Sequence, residues 1–145
     1  MTGTPAPKPK RVLAVDYGAT RTGLAATDWT GTITVPLGKV TGLDDAALVK
    51  HLVELVRERE TQLVVVGMPL LVDGSTGERA KRTEQFRALL ATALPCPVAT
   101  VDESHSTDEA HELLKQGGMK AARRKELADS VAALVILQRW RAGAR

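Results

Sequence analysis

The stretch RVLAVDYGATRTGLAATDWTGTITVPLGKV, residues 11–40, contains three short β-rich runs separated by only a few Gly- and Thr-rich residues. RVLAVD reads as a buried strand, and RTGLAATD and TITVPLGKV read as the two that follow it. A parallel pair needs a crossover of a dozen residues or more, and these links are far shorter. The spacing therefore predicts an antiparallel meander. Its first strand ends on a carboxylate, Asp16, followed by Gly18, the cluster Thr20, Arg21 and Thr22, and Gly23. A four-residue apolar run leading straight into an acid is the feature that the rest of the chain has to explain.

Downstream the pattern changes period. In LDDAALVKHLVELVRERE, Leu48, Leu52, Leu55 and Val56 recur at helical spacing, and Asp44 and Asp45 lie at the positive end of the helix dipole. LVVVGMP is a continuous β-branched run suited to a strand covered on both faces, stopped by Gly67 and Pro69. GERAKRTEQFRALLATAL predicts a second helix and PVATVDE a fifth strand. STDEAHELLKQG predicts a short helix capped by Ser106 or Thr107 and ended by Gly117. ARRKELADSVAALVILQRW predicts a long closing helix. Three antiparallel strands extended by two parallel ones, with helices on the flanks, make a five-stranded mixed α/β sheet, the arrangement of the RNase H-like fold.

Composition fits one such domain. The chain has 145 residues, enough to bury a single core, and its 43% hydrophobic and 26% charged residues exclude a disordered or fibrous protein. Residues 1–10, MTGTPAPKPK, alternate proline with small and basic residues and read as a flexible basic tail on a domain of residues 11–145. The lone Cys96 permits no internal disulfide or thiolate metal cluster, which fits a reducing, cytoplasmic setting. No run is apolar enough to span a bilayer or to serve as a signal peptide, so no membrane partner is expected. The net charge of +3 permits a polyanionic partner without requiring one.

The acids fall into a pattern once the strands are placed. Asp16 ends the first strand, and Asp102 and Glu103 end the fifth, at the edge where open α/β sheets gather ligands. Asp129 lies on the last helix at the head of a stripe formed by Ala132, Ala133 and Ile136. Each has a plainer reading: Asp16 as the acceptor of a Gly18 turn, Asp129 as a helix-start residue, Asp102 and Glu103 as a solvated strand end. Adjacent strand residues face opposite ways, so only one of the last two can face a shared site. Together, acids from two strand ends and a helix form an oxygen-rich set able to hold one or two divalent cations.

AVDYGATRTGLAATD, VVVGMPLLVDGSTGERAKRTEQF, VDESHSTDEAHELL and RRKELADSVAALVILQRW resemble, in order and spacing, the four successive motif blocks of the YqgF/RuvX family of RNase H-like nucleases. The resemblance runs from Val12 to Trp140. It implies that Asp16, Glu103 and Asp129 are the catalytic, metal-holding acids, with Asp102 as an auxiliary, and that Mg2+ or Mn2+ is the cofactor. It also implies metal-dependent phosphodiester hydrolysis, described for the family both as trimming the 5′ end of pre-16S rRNA and as Holliday junction resolution. The family usually has arginine after the Asp-Glu pair; here Ser104 stands there, followed by His105. His105 thus becomes a candidate for contacting phosphate or assisting proton transfer. The spacing of His105 and His111 is not that of a helical zinc pair, and His51 reads as helix surface.

Basic residues cluster beside these acids. Arg79, Lys81 and Arg82 open the second helix, and Lys120, Arg123, Arg124 and Lys125 precede Asp129. With Thr20 and Arg21 in the first turn, they are the candidate nucleic-acid contacts, and the Gly74–Gly77 loop at a helix start adds backbone amides. Solvated helix faces are the plain alternative. Four aromatic residues, Tyr17, Trp29, Phe86 and Trp140, are too few for base stacking to dominate, so RNA or DNA would be held mostly through its phosphates. VDYGATRTG also resembles the first phosphate loop of actin-like ATPases and sugar kinases, but a single domain offers no second jaw to close on a nucleotide. A catalytically inactive nucleic-acid-binding module is the remaining alternative, and a homodimer is the assembly that cutting two opposed strands would need.

Overall fold

The computed structural model describes residues 9–69, 77–102, 112 and 120–143, and for 121–129 the backbone alone. The short helix predicted across 106–117 lies outside these residues, Glu112 excepted.

Five strands form one sheet: β1 (Val12–Asp16), β2 (Arg21–Thr27), β3 (Thr34–Thr41), β4 (Leu63–Met68) and β5 (Val98–Asp102), in the order β3-β2-β1-β4-β5. As the loop lengths required, β1–β2 and β2–β3 pair antiparallel; β1–β4 and β4–β5 pair parallel. The described helices are α1 (Asp45–Arg59), α2 (Glu78–Ala93) and α3 (Ala121–Arg141). None of the described helices is long and apolar enough to cross a membrane.

The two faces of β1 explain the layering. Leu13 and Val15 point into one core with Leu48, Leu52 and Val56 of α1 and Phe86 and Leu90 of α2. Val12 and Ala14 point into a second core with Ile136 and Leu137 of α3. A strand covered on both sides has no place for alternation with polar residues, which is why β1 and β4 read as unbroken apolar runs. Fully burying each Leu, Phe or Val in these layers contributes about 1.5–3 kcal/mol. The stripe Ala132, Ala133 and Ile136 is buried as its spacing predicts.

Local signals set the helix ends. Asp44 caps α1 by accepting the Ala47 amide at 2.8 Å, and Glu60 ends it in the left-handed region at φ 51°. Helix α3 begins at Ala121, so Asp129 lies more than two turns inside it and not at its start. Strand β3 carries a bulge: Leu24 pairs with Gly38 but Ala25 with Pro36, leaving Leu37 as the extra residue. Proline is tolerated there because β3 is an edge strand.

Candidate functional site

Asp16 stands at the carboxyl end of the central strand, with 9% of its surface exposed. Strand alternation gives it the parity of Val12 and Ala14, which face α3. The turn that follows is tightly folded: a Cβ on Gly18 would lie 2.4 Å from the Arg21 carbonyl oxygen, so only glycine lets the chain return at this point. Arg79, at the start of α2, brings Nη2 to 3.7 Å from Asp16 Oδ1. One of the cations expected to hold phosphate therefore lies directly at the first acid.

The next residue faces the other way. Tyr17 stacks on Phe86 with ring centroids 4.3 Å apart, and its hydroxyl donates to Asp45 Oδ1 at 2.6 Å. Burial, then the hydrogen bond and charge of Asp45, push the phenol above its ordinary value, with Arg82 offsetting part of the rise. This pair ties the strand end carrying Asp16 to both α1 and α2. In the sequence Tyr17 reads only as one of four aromatics; the signal for its role is its place between the acid and the Gly18 turn.

Helix α3 is fixed to the sheet by Ser130. Its hydroxyl donates to the Leu24 carbonyl at 3.0 Å and accepts the Gly38 amide at 2.8 Å. Leu24 is paired with Val15 and Gly23 with Asp16, so the helix backbone at Asp129 and Ser130 is held within about a residue of the strand end carrying Asp16. Ser130 is 2% exposed and was missed because a lone serine beside Ala132 and Ala133 has no local signature.

On β5, Asp102 pairs with Met68 at the same edge of the sheet as Asp16, since β1, β4 and β5 run parallel. It is exposed, and its carbonyl accepts Arg139 Nη1 at 2.9 Å. Asp102 shares the strand parity of Val98, which packs into the α1/α2 core, whereas Ala99 and Val101 pack on the α3 side. It therefore has the opposite parity to Asp16.

Thr20 and the cations Arg21, Lys81, Arg82 and Lys120 are all exposed, carried on the β1–β2 turn, the start of β2 and the starts of α2 and α3. His51 is exposed on α1, as expected. Glu103, Ser104, His105, His111 and residues 74–76 lie outside the described residues, as do the side chains of Arg123, Arg124, Lys125 and Asp129. Among the described residues no three metal-ligating side chains cluster, and the side chains of Glu103 and Asp129, which would complete a set with Asp16, are not among those described. What can be tested fits a hard divalent cation: the donor is a nearly buried carboxylate oxygen at a strand end, and the Arg79 guanidinium that faces it is exposed enough to give way to a metal.

Residues 10–142 match the family model described as RuvX: Holliday junction resolvase. A protein of Synechococcus sp. is 36% identical over 132 residues, spanning 91% of this chain and 78% of its own. One from Crocosphaera subtropica is 38% identical over 128 residues, spanning 88% and 90%. Another from Chloroflexus aurantiacus is 37% identical over 127 residues, spanning 88% and 83%. All three bear the provisional name pre-16S rRNA nuclease. In shape, the chain resembles T. thermophilus RuvC in complex with a Holliday junction substrate (TM-score 0.60, 18% identity, covering 93% of this chain and 98% of that one). It also resembles Fowlpox virus resolvase in complex with Holliday junction DNA (TM-score 0.54, 9% identity, covering 92% and 97%). At these identities the likeness shows the shared RNase H-like fold.

Proposed function

The chain belongs to the RuvX family, and on that premise we propose that it is a metal-dependent nuclease hydrolysing nucleic-acid phosphodiester bonds, with the 5′ end of pre-16S rRNA as its substrate in RNA processing. The observation that carries the reading is Asp16: an acid that ends the central strand, faces α3 and has the Arg79 guanidinium beside it. The relatives' shared name directs it toward RNA.

Asp16, Glu103 and Asp129 form the proposed acid set. Asp16 has the α3-side parity, and Asp129 lies on α3 next to the Ser130 anchor. Asp102 has the opposite parity to Asp16, which leaves it auxiliary in the proposed set. Bound Mg2+ or Mn2+ would activate water and neutralise charge at phosphorus. Arg79 would hold a phosphate against the acids, and Thr20, Arg21, Lys81, Arg82, Lys120, Arg123, Arg124 and Lys125 would line the backbone track and make affinity salt-dependent. Ser130 and Tyr17 would orient the helix and the strand end. His105 is proposed for phosphate contact where the family usually has arginine one position earlier. Residues 11–145 would act as a single domain with 1–10 as an appended tail. The half-buried Cys96, its thiol raised by burial, suits a reducing cytoplasm.

The test incubates the protein and its Asp16→Asn variant with Mg2+ or Mn2+ and panels of single-stranded RNA, single-stranded DNA, duplexes and four-way junctions. Cleavage of single-stranded RNA that disappears in the variant supports the reading. Paired symmetric cuts confined to junctions would replace it with resolution by a homodimer. Binding without metal-dependent cleavage of any substrate would leave a nucleic-acid-binding module.

A further inference from the structure

At the end of the sheet opposite Asp16, the β2–β3 connection presents Trp29 with 57% of its surface exposed and Ile33 with 58%. An exposed tryptophan contributes little to folding, yet the loop carrying it is tightly built. The Asp28 carboxylate accepts the Thr30 hydroxyl at 2.9 Å, the Thr32 amide at 3.0 Å and the Ile33 amide at 3.2 Å. The Asp28 amide donates to the Ile33 carbonyl at 2.8 Å. Gly31 has φ 77° and lies so close to Lys10 that a Cβ would stand 2.7 Å from its carbonyl oxygen. Thr27 Oγ1 ties the base of the loop to the same strand, donating to the Lys10 carbonyl at 2.8 Å and accepting the Val12 amide at 2.9 Å. Such a loop holds its tryptophan in one place at little entropic cost to a ligand.

The surroundings are cationic. The Arg11 guanidinium lies 5.8 Å from the Trp29 ring centroid, a cation–π distance. Arg59 donates to the Thr27 carbonyl at 3.1 Å and lines a small cleft with Arg11, Asp28 and Trp29. Arg141, from the end of α3, donates to the Thr32 carbonyl at 3.3 Å. Each arginine has five N–H donors, so these single bonds leave most of its capacity unspent. The nearby acid, Asp28, has its carboxylate engaged by the loop's own donors.

We propose that Trp29, framed by Lys10, Arg11, Arg59 and Arg141, is a second nucleic-acid contact, stacking one unpaired base of a single-stranded segment whose phosphates the cations hold. The proposal rests on the nuclease reading and adds a remote anchor to it. A duplex shields its base faces, so a lone exposed indole selects single strands. Strand β2 has seven residues, so the anchor lies about 20–25 Å from the Asp16 end, by the rise of a strand. Only a substrate long enough to run the height of the sheet would reach both.

The test measures binding of short and long single-stranded RNA and DNA oligonucleotides in EDTA, and cleavage of the same molecules with Mn2+. Trp29→Ala should weaken binding of long oligonucleotides about tenfold, the order of one lost base stack. Its binding and cleavage of short ones should stay unchanged, and Trp29→Phe should recover most of the loss. In Trp140→Phe, where Trp29 is the remaining tryptophan, long oligonucleotides should quench its emission. Long-oligonucleotide binding by Trp29→Ala equal to wild type, with wild type binding and cleaving normally, overturns the anchor alone and would leave the patch to a protein partner. If the wild type binds no oligonucleotide, the nuclease reading falls and the anchor with it.

Discussion

The Arg79 guanidinium stands 3.7 Å from the Asp16 carboxylate, joining the first residue of the proposed acid set to the helix that carries Lys81 and Arg82. Arg79 is a countercharge at the acid; in the proposed reaction it would turn to phosphate once metal and substrate are bound. Arg79→Ala should therefore weaken nucleic-acid binding and lower the slope of log affinity against log salt by about one. Folding stability should change little, because the side chain is 63% exposed. An unaltered salt slope would remove Arg79 from the interface.

Asp16 should also be detectable without any substrate. Saturating Mn2+ or Mg2+ raises the stability of a protein that binds it only when folded, by about 2.7 kcal/mol at a hundred times Kd. The midpoint of thermal unfolding should rise with metal in the wild type and remain level in Asp16→Asn, each compared with its own EDTA control. Equal shifts in both proteins would place the cation elsewhere.

Ser130→Ala removes a hydroxyl that serves both Leu24 and Gly38 and leaves the Gly38 amide partly buried without that acceptor. The cost should be about 1–3 kcal/mol in urea unfolding with an unchanged m-value. Cleavage should fall further than stability explains, because the helix carrying Asp129 loses its anchor at the bulge. Wild-type activity in a destabilised variant would make Ser130 purely structural.

Gly18→Ala sets a methyl against backbone rather than against a movable side chain. The β1–β2 turn must shift, and the strand end carrying Asp16 shifts with it. Cleavage should drop by an order of magnitude or more, since small misplacements of catalytic groups cost about a hundredfold. A fully active Gly18→Ala protein would show that the turn has slack.

Tyr17 supplies a pH dependence. Its folded pKa lies above the ordinary phenol value of 10.0, chiefly through burial, then through Asp45. The stability this contributes is fully present below the unfolded pKa and is lost as pH rises through the folded one. Tyr17→Phe should cost about 1 kcal/mol at neutral pH and remove that alkaline loss, measured by denaturation between pH 7 and the alkaline limit.

Strands and helices were legible where one local period dominated: β1 and β4 as unbroken apolar runs, α1 through Leu48, Leu52 and Val56, and α3 through its small stripe. Asp16 stood out because a carboxylate ended such a run. What escaped notice depends on partners far apart in sequence. Ser130 meets Leu24 and Gly38 across roughly a hundred positions, and Arg79 meets Asp16 across more than sixty. The plainer reading of Asp129 as a helix-start residue fails because the helix begins at Ala121, within one residue of the start that ARRKELADSVAALVILQRW predicts, and leaves Asp129 more than two turns inside. In the sequence Trp29 is one of few aromatics and nothing more, because neither its exposure nor the arginines beside it exist until the loop is folded.

The irregularity at Leu37 also changes what the free margin of the sheet offers to another strand. An edge strand with an even row of free amides and carbonyls invites a second molecule to zip onto it, the first step toward fibrils. On β3, Pro36 lacks an amide hydrogen and the extra Leu37 breaks the row next to it. A strand laid along this margin would find no continuous ladder to extend, which by its geometry disfavours edge-to-edge pairing there.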